Sequence, residues 1–214
     1  GLGDVYKRQD SSNAVNSKKN PNAVNQCKNC SGKSRNSIDF ATGQETFTHV
    51  DFSLPGLVPL VWSRTYRSSL ISYNHGEQGA RWITPYTAKI AIRRNEFLYH
   101  TSDGRTVSFP LLKIGQAYQH PIENFTLMQV SENLLTLNVG KEYVEIYERY
   151  NNTFRLSAIK DKNNNSIGFH YKKHLLIGVN DSNGYYFSIH YNENNHIQQI
   201  KLELSLIHIW RCRR

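Results

Sequence analysis

Apolar and polar residues alternate along most of this chain in short runs, broken by turn residues about every ten positions. The sharpest pattern lies in residues 51–68, DFSLPGLVPLVWSRTYRS. There Asp51 leads into a turn at Pro55-Gly56, with Pro fixing φ at the first corner and Gly accepting the positive φ of a type II turn at the second. Pro59 opens the strand that follows. Leu60, Trp62, Arg64 and Tyr66 fall on one face, and Val61, Ser63, Thr65 and Arg67 on the other. Upstream, Ile38, Phe40 and Phe47 anchor two short strands around a turn at 41–44. Residues 72–79 are polar and read as an exposed loop. Residues 82–92 read as a strand in which Tyr86, Ala88, Ile90 and Ile92 alternate. Asp103-Gly104 stands between Phe97 and Tyr99 on one side and Val107 and Phe109 on the other, a hairpin signal. Residues 125–130 and 134–139 predict a second hairpin, and 143–148 a further strand. No stretch keeps a helical period. The expected fold is all-β, made of antiparallel strand-turn-strand units.

The C-terminal third repeats itself. Leu156, Ile159, Asp161, Ile167, Phe169, His170 and Tyr171 recur 20 residues later as Leu176, Val179, Asp181, Phe187, Ile189, His190 and Tyr191. A third copy starts at Ile197 and Ile200, and Tyr147 and Tyr150 close a degenerate earlier one. In each unit an apolar pair ends a strand. Asp161 or Asp181 then opens a polar turn, the second containing Asn183-Gly184. A carboxylate at that first position can accept hydrogen bonds from the amides that follow. One unit is too small to bury its own apolar face, so stability requires stacked copies.

These motifs carry a resemblance. Residues 161–171 and 181–191 resemble YD repeats. Residues 38–67, and SDGRTVSFP at 102–110, resemble the domain that begins the shell of bacterial Rhs proteins. The resemblance implies a β-strand spiral closed into a hollow cocoon, with residues 37–140 as the shell-initiating domain and 141–203 as YD repeats. It implies a structural, non-enzymatic segment of a polymorphic toxin, secreted or displayed at the cell surface through contact-dependent or type VI delivery. Its main partner would be the parent's own C-terminal toxin domain, with the secretion apparatus a further candidate. The alternative is a cell-surface YD-repeat adhesin that binds carbohydrate or a partner cell. The repeats here are richer in Asn than the family pattern, so the carry-over concerns architecture and names no catalytic residue.

Composition changes the picture at the two ends. Read back into codons, residues 1–9 (GLGDVYKRQ) resemble a sequencing adapter with its mosaic end. Residues 204–214 (LSLIHIWRCRR) resemble the reverse complement of that end, with Trp210 read from TGA. Both segments are expected to be adapter-derived; a TGG codon at Trp210 would contradict this. The formal net charge is +9, of which residues 1–9 supply one and residues 204–214 supply three, leaving five spread along the chain. That distribution fits a solvated surface better than a nucleic-acid footprint. Residues 10–36 carry no aromatic side chain and are expected to be a disordered linker. Cys27 and Cys30 in that linker form a lone CxxC. It is open between a metal site and a disulfide, and the missing second ligand pair argues against zinc. No apolar run reaches the length of a membrane span.

Candidate chemistry is sparse. Asp161-x-Asn163-x-Asn165 begins like an EF-hand loop but places Ser166 and Lys172 where Gly and Glu are required, so it reads as turn chemistry and not as a calcium site. His170 and His190 lack a paired nucleophile or carboxylate and read as strand-face residues. Tyr185, Tyr186 and Tyr191 could stack sugars, but their alternation favours packing. No cofactor, metal or catalytic residue is expected. The structural positions are Asp51, Pro55, Gly56, Trp62, Arg64, Tyr66, Asp103, Gly104, Asp161, Tyr171, Asp181, Gly184 and Tyr191.

Overall fold

The structure is a computed structural model that describes residue 38 and residues 42–73 and 76–203. The linker, Cys27 and Cys30, and the two terminal segments assigned to adapter lie outside the described residues. The described chain is antiparallel β throughout, apart from one 3-10 turn at Ile71–Tyr73.

Two sheets form. The smaller contains β1 (Thr46–Leu54), β2 (Leu60–Arg67) and β3 (Trp82–Ile83). The larger is a meander of β7 (Ala117–Gln119), β8 (Phe125–Ser131), β9 (Leu134–Val139), β10 (Tyr143–Tyr150), β11 (Thr153–Asp161), β12 (Ser166–Lys172), β13 (Leu175–Asp181), β14 (Tyr186–Tyr191) and β15 (Ile197–Glu203), each strand pairing with the next. The sheet is continuous across residue 140, where β9 and β10 pair from Tyr143↔Val139 to Glu148↔Leu134. The same sheet carries a branch of β4 (Lys89–Ile92), β5 (Glu96–His100) and β6 (Thr106–Pro110).

The branch starts at a fork in β11. One edge of β11 pairs with β10 along its whole length. The other edge is divided: Ala158–Lys160 pair with β12, and Thr153–Arg155 pair with β4. The branch folds back over the meander and buries one face of it. Phe97 meets Phe154, Tyr99 meets Phe125 and Tyr147, and Phe109 meets Tyr118, all edge to face. Leu127, Leu135, Leu137, Leu156, Ile167 and Val179 complete a core that continues under β2 to Leu60 and Trp62. The opposite face carries two bonded pairs, His170 Nε2 with Asn180 Oδ1 at 2.6 Å and Ser188 Oγ with His190 Nε2 at 3.2 Å, so His190 has the hydroxyl partner that the sequence reading denies it.

Three expectations are corrected. Residues 82–92 are two strands and not one. Pro85 cannot donate to a ladder; Thr87 N instead bonds back to Thr84 O at 3.1 Å, and Thr84 N to Thr87 Oγ1 at 2.8 Å. That turn moves the chain from the small sheet (β3) to the large one (β4). Gly56 is not in the left-handed region, unlike Gly104 (φ 85) and Gly184 (φ 87). Glycine is needed there for close approach, since a Cβ would lie 2.8 Å from Asn183 Nδ2. Residues 76–79 are half-buried against the repeats instead of forming an exposed loop.

Gly178 illustrates how the polar face is packed. A Cβ at this position would overlap the Tyr186 hydroxyl and lie 2.7 Å from Tyr186 Cζ. Gly178→Ala is expected to cost about 1–3 kcal/mol. In a Tyr186→Ala background most of that cost should vanish, as read by a double-mutant cycle in chemical denaturation.

Candidate functional site

The repeats hold two devices, each present twice. The first is the Asp turn. Asp161 Oδ1 accepts from Asn163 N (2.8 Å) and Asn165 N (2.9 Å), and its Oδ2 accepts from Asn165 Nδ2 (2.7 Å). Asp181 does the same with Asn183 N (3.0 Å), Tyr185 N (2.9 Å) and Asn183 Nδ2 (3.0 Å). The left-handed residue of the first turn is Asn164 (φ 64) and of the second Gly184 (φ 87). This explains how Asn-rich and Gly-containing copies coexist, since Asn and Gly are the residues that tolerate this conformation.

The second device is the Tyr staple. β11 and β12 pair over three residues and then part, as do β13 and β14. Tyr171 Oη donates across the first opening to Leu156 O (3.0 Å), and Tyr191 Oη across the second to Leu176 O (2.8 Å). Each tyrosine thus satisfies a carbonyl 15 residues upstream that the splayed ladder leaves open. Each sits at a register shift, His170/Tyr171 and His190/Tyr191, and a third shift falls at Ile146/Tyr147 in the degenerate copy. Bulges re-aim the side chain that follows them.

Residues 51–68 dock on these units. Phe52 stacks on Trp62 (6.1 Å) and on Phe187 of β14 (5.2 Å); Trp62 tilts on Tyr86 (5.5 Å), and Tyr86 on Phe169 of β12 (5.0 Å). Trp62 retains 2% of its exposure. The Tyr86 hydroxyl donates to Val61 O (3.0 Å) and accepts from Val61 N (3.2 Å), acting as a strand neighbour for β2. Burial pushes its pKa up to about 12. The Pro55-Gly56 tip lies on the Asp181 turn, as the Gly56 contacts show. The Leu60 and Trp62 face is therefore packed against the repeats. Arg64 and Tyr66 continue past them. Arg64 makes a two-pronged bond to Asp51 (2.7 Å each), which occupies a bulge between Val50 and Phe52, while Tyr66 tilts on Trp82 at 5.6 Å. Asp103 and Gly104 lie elsewhere, in the β5–β6 turn. Asp103 pairs with Arg105 at 2.8 Å, and a Cβ on Gly104 would press on Leu70 at 2.9 Å.

A cleft of about 600 Å³ opens at the β11 fork. Its wall includes Trp82, Tyr86, Lys89, Arg155, Tyr171 and Glu77. The Arg155 guanidinium is held between Tyr150 (4.0 Å) and Tyr171 (4.3 Å) and donates from Nη1 to Lys173 O, while its Nε is buried without a partner. Glu77 accepts from Tyr191 Oη (3.1 Å) through its carboxylate and from Ile197 N (2.8 Å) through its carbonyl. Burial raises the Glu77 pKa; the Tyr191 bond, His174 and Lys89 oppose the shift. A second half-buried carboxylate, Glu145, accepts from both Tyr147 and Tyr99 under the branch. No sequence pattern pointed to Glu77, Arg155 or Glu145; Pro85 was the one visible sign that the chain turns beside Tyr86.

This arrangement fastens sheets together. Among the described residues no group of three or more His, Cys, Asp or Glu is set to hold a metal ion. No helix among them is long and apolar enough to cross a membrane. Asp181 is buried and serves both its own turn and the Gly56 contact. Asp181→Ala is expected to cost about 1–3 kcal/mol and to loosen residues 54–60, visible as faster amide exchange there.

Comparison with known proteins gives two matches. Residues 35–109 match the family described as a domain of unknown function, DUF6531. The chain is also 29% identical over 120 residues to the double-stranded DNA deaminase toxin A of Burkholderia cenocepacia (strain H111); the match covers 54% of this chain and spans 8% of that relative's length.

Proposed function

We propose that this chain is a structural segment of an Rhs-type polymorphic toxin, forming part of a β-shell that encloses a C-terminal toxin domain, and is not itself an enzyme. The observation that carries this reading is the duplicated unit, an Asp turn followed by a Tyr staple of constant reach, sealed on its apolar face by aromatic residues from the preceding domain. Such units can add strands to a wall one after another, and each copy repeats the same fastening contacts. The similarity to a protein named as a toxin, over 54% of the chain, supports the same class. A match over 8% of that relative carries no deaminase activity to this chain.

The test is protease protection in the full-length parent. The C-terminal domain is expected to resist protease in the intact protein and to become sensitive in a Trp62→Ala variant. Equal sensitivity in both would contradict a shell. Glycan-array binding by the parent that is lost on substitution of Tyr185 would favour an adhesin instead.

A further inference from the structure

The two staples share a geometry but not their surroundings. Among the described residues Tyr171 Oη has one acceptor, Leu156 O at 3.0 Å. Tyr191 Oη has two, Leu176 O at 2.8 Å and Glu77 Oε2 at 3.1 Å. A phenol carries one proton to donate. The three oxygens therefore need a second proton before both contacts are full hydrogen bonds, and the Glu77 carboxyl is the group among them that can carry it. Protonated, Glu77 donates to Tyr191 Oη, and Tyr191 donates on to Leu176 O. Ionised, Glu77 competes with Leu176 O for the single phenolic proton. A charged acceptor makes a hydrogen bond roughly twice as strong as a neutral one, so the carboxylate wins.

Glu77 is held at this junction by its backbone. Its carbonyl accepts from Ile197 N at 2.8 Å, at the start of β15, while Tyr191 ends β14 and Leu176 lies in β13. Burial favours the neutral carboxyl. The Tyr191 bond, His174 in the β12–β13 turn and Lys89 in β4 favour the charged one, and the balance is a raised pKa. Tyr171 on β12 also faces Glu77, with the Arg155 guanidinium of β11 on its ring. Burial keeps both tyrosine hydroxyls protonated, so Glu77 is the group of the three-oxygen chain that titrates first.

We propose that Glu77 is a proton-operated lock on the second staple, closed when its carboxyl donates to Tyr191 and open when its carboxylate draws the Tyr191 hydrogen away from Leu176 O. Opening leaves that carbonyl without its donor where β13 and β14 part. The Tyr171 staple has no carboxyl on its hydroxyl and stays closed at every pH. Burial raises the folded pKa of Glu77, so its contribution to stability is full below the ordinary glutamate value and is lost as pH rises through the folded one. The inference rests on the count of protons at three oxygens and does not depend on the shell reading.

The test is carbon NMR of the isotope-labelled full chain as pH is raised from below the ordinary glutamate value. It follows the Glu77 carboxyl carbon and the carbonyl carbons of Leu176 and Leu156. Glu77 is expected to titrate above the ordinary value, and Leu176 to shift with the same midpoint while Leu156 stays in place. In Tyr191→Phe, Glu77 should still titrate but the Leu176 shift should largely vanish. In Glu77→Gln, whose amide donates at every pH, Leu176 should not titrate. A wild-type Glu77 midpoint at or below the ordinary value overturns the inference. So does a Leu176 carbonyl that ignores the Glu77 titration, that follows it equally in Tyr191→Phe, or that moves no more than Leu156.

Discussion

Trp62→Ala is expected to destabilise the protein by about 3–5 kcal/mol, the range for removing a fully buried large aromatic. Trp62 lies between Phe52 and Tyr86, and those two rings touch Phe187 and Phe169 on the repeats. Loss of the indole would leave a cavity bordered by both sheets, which neither can close alone. The effect should exceed that of Tyr66→Ala, because Tyr66 is half-buried and its ring partner Trp82 belongs to the same small sheet. Urea denaturation of the two variants measures the difference. A loss for Trp62→Ala no larger than for Tyr66→Ala would show that the small sheet does not depend on the repeats.

Tyr147→Phe is the second substitution with a large expected effect, about 1.5–3 kcal/mol near pH 8, the worth of a buried hydrogen bond to a charged group. Glu145 Oε2 accepts from Tyr147 Oη (2.6 Å) and Tyr99 Oη (3.1 Å). Burial raises the Glu145 pKa, and the two hydroxyl bonds only partly offset it. A carboxyl whose folded pKa is raised prefers to be protonated in the folded state. Its contribution to stability is therefore full below the ordinary glutamate pKa and is lost as pH rises through the folded value. The Tyr147→Phe loss should shrink as pH falls below that window. Glu145→Gln, which cannot ionise, should gain on the wild type as pH rises through it. Denaturation across pH 4–8 checks both signs, and a wild-type advantage over Glu145→Gln that grows with pH would reverse the assignment.

Local features of the fold were readable from the residues because their causes are local. Asp103-Gly104, the alternation around 131–133 and the Asp turns each depend on a few neighbouring residues, and each lies at the strand connection expected for it. The 20-residue step was readable because each copy repeats the same contacts. The rest depends on partners far apart in the chain. Glu77 and Tyr191 are separated by 114 positions, and nothing near Glu77 marks it as a fastener. The division of β11 between β12 and β4 required knowing that β12 leaves after three pairs. Pro55-Gly56 predicts a conformational glycine, but the constraint on Gly56 comes from Asn183 across the interface. The alternation of Tyr191 signals strand-face packing, but its hydroxyl also bonds Leu176 O and Glu77, and neither partner is near it in the chain.

Residues 46–67 and the repeats are packed as one structural unit and should unfold together. Trp62 and Trp82 report on the small sheet, and far-UV circular dichroism is dominated by the long meander. With Trp210 replaced by Phe, equilibrium unfolding followed by tryptophan fluorescence and by circular dichroism should give coincident midpoints and slopes, as a single cooperative transition requires. A fluorescence transition completed at lower denaturant, with the dichroism still folded, would contradict it.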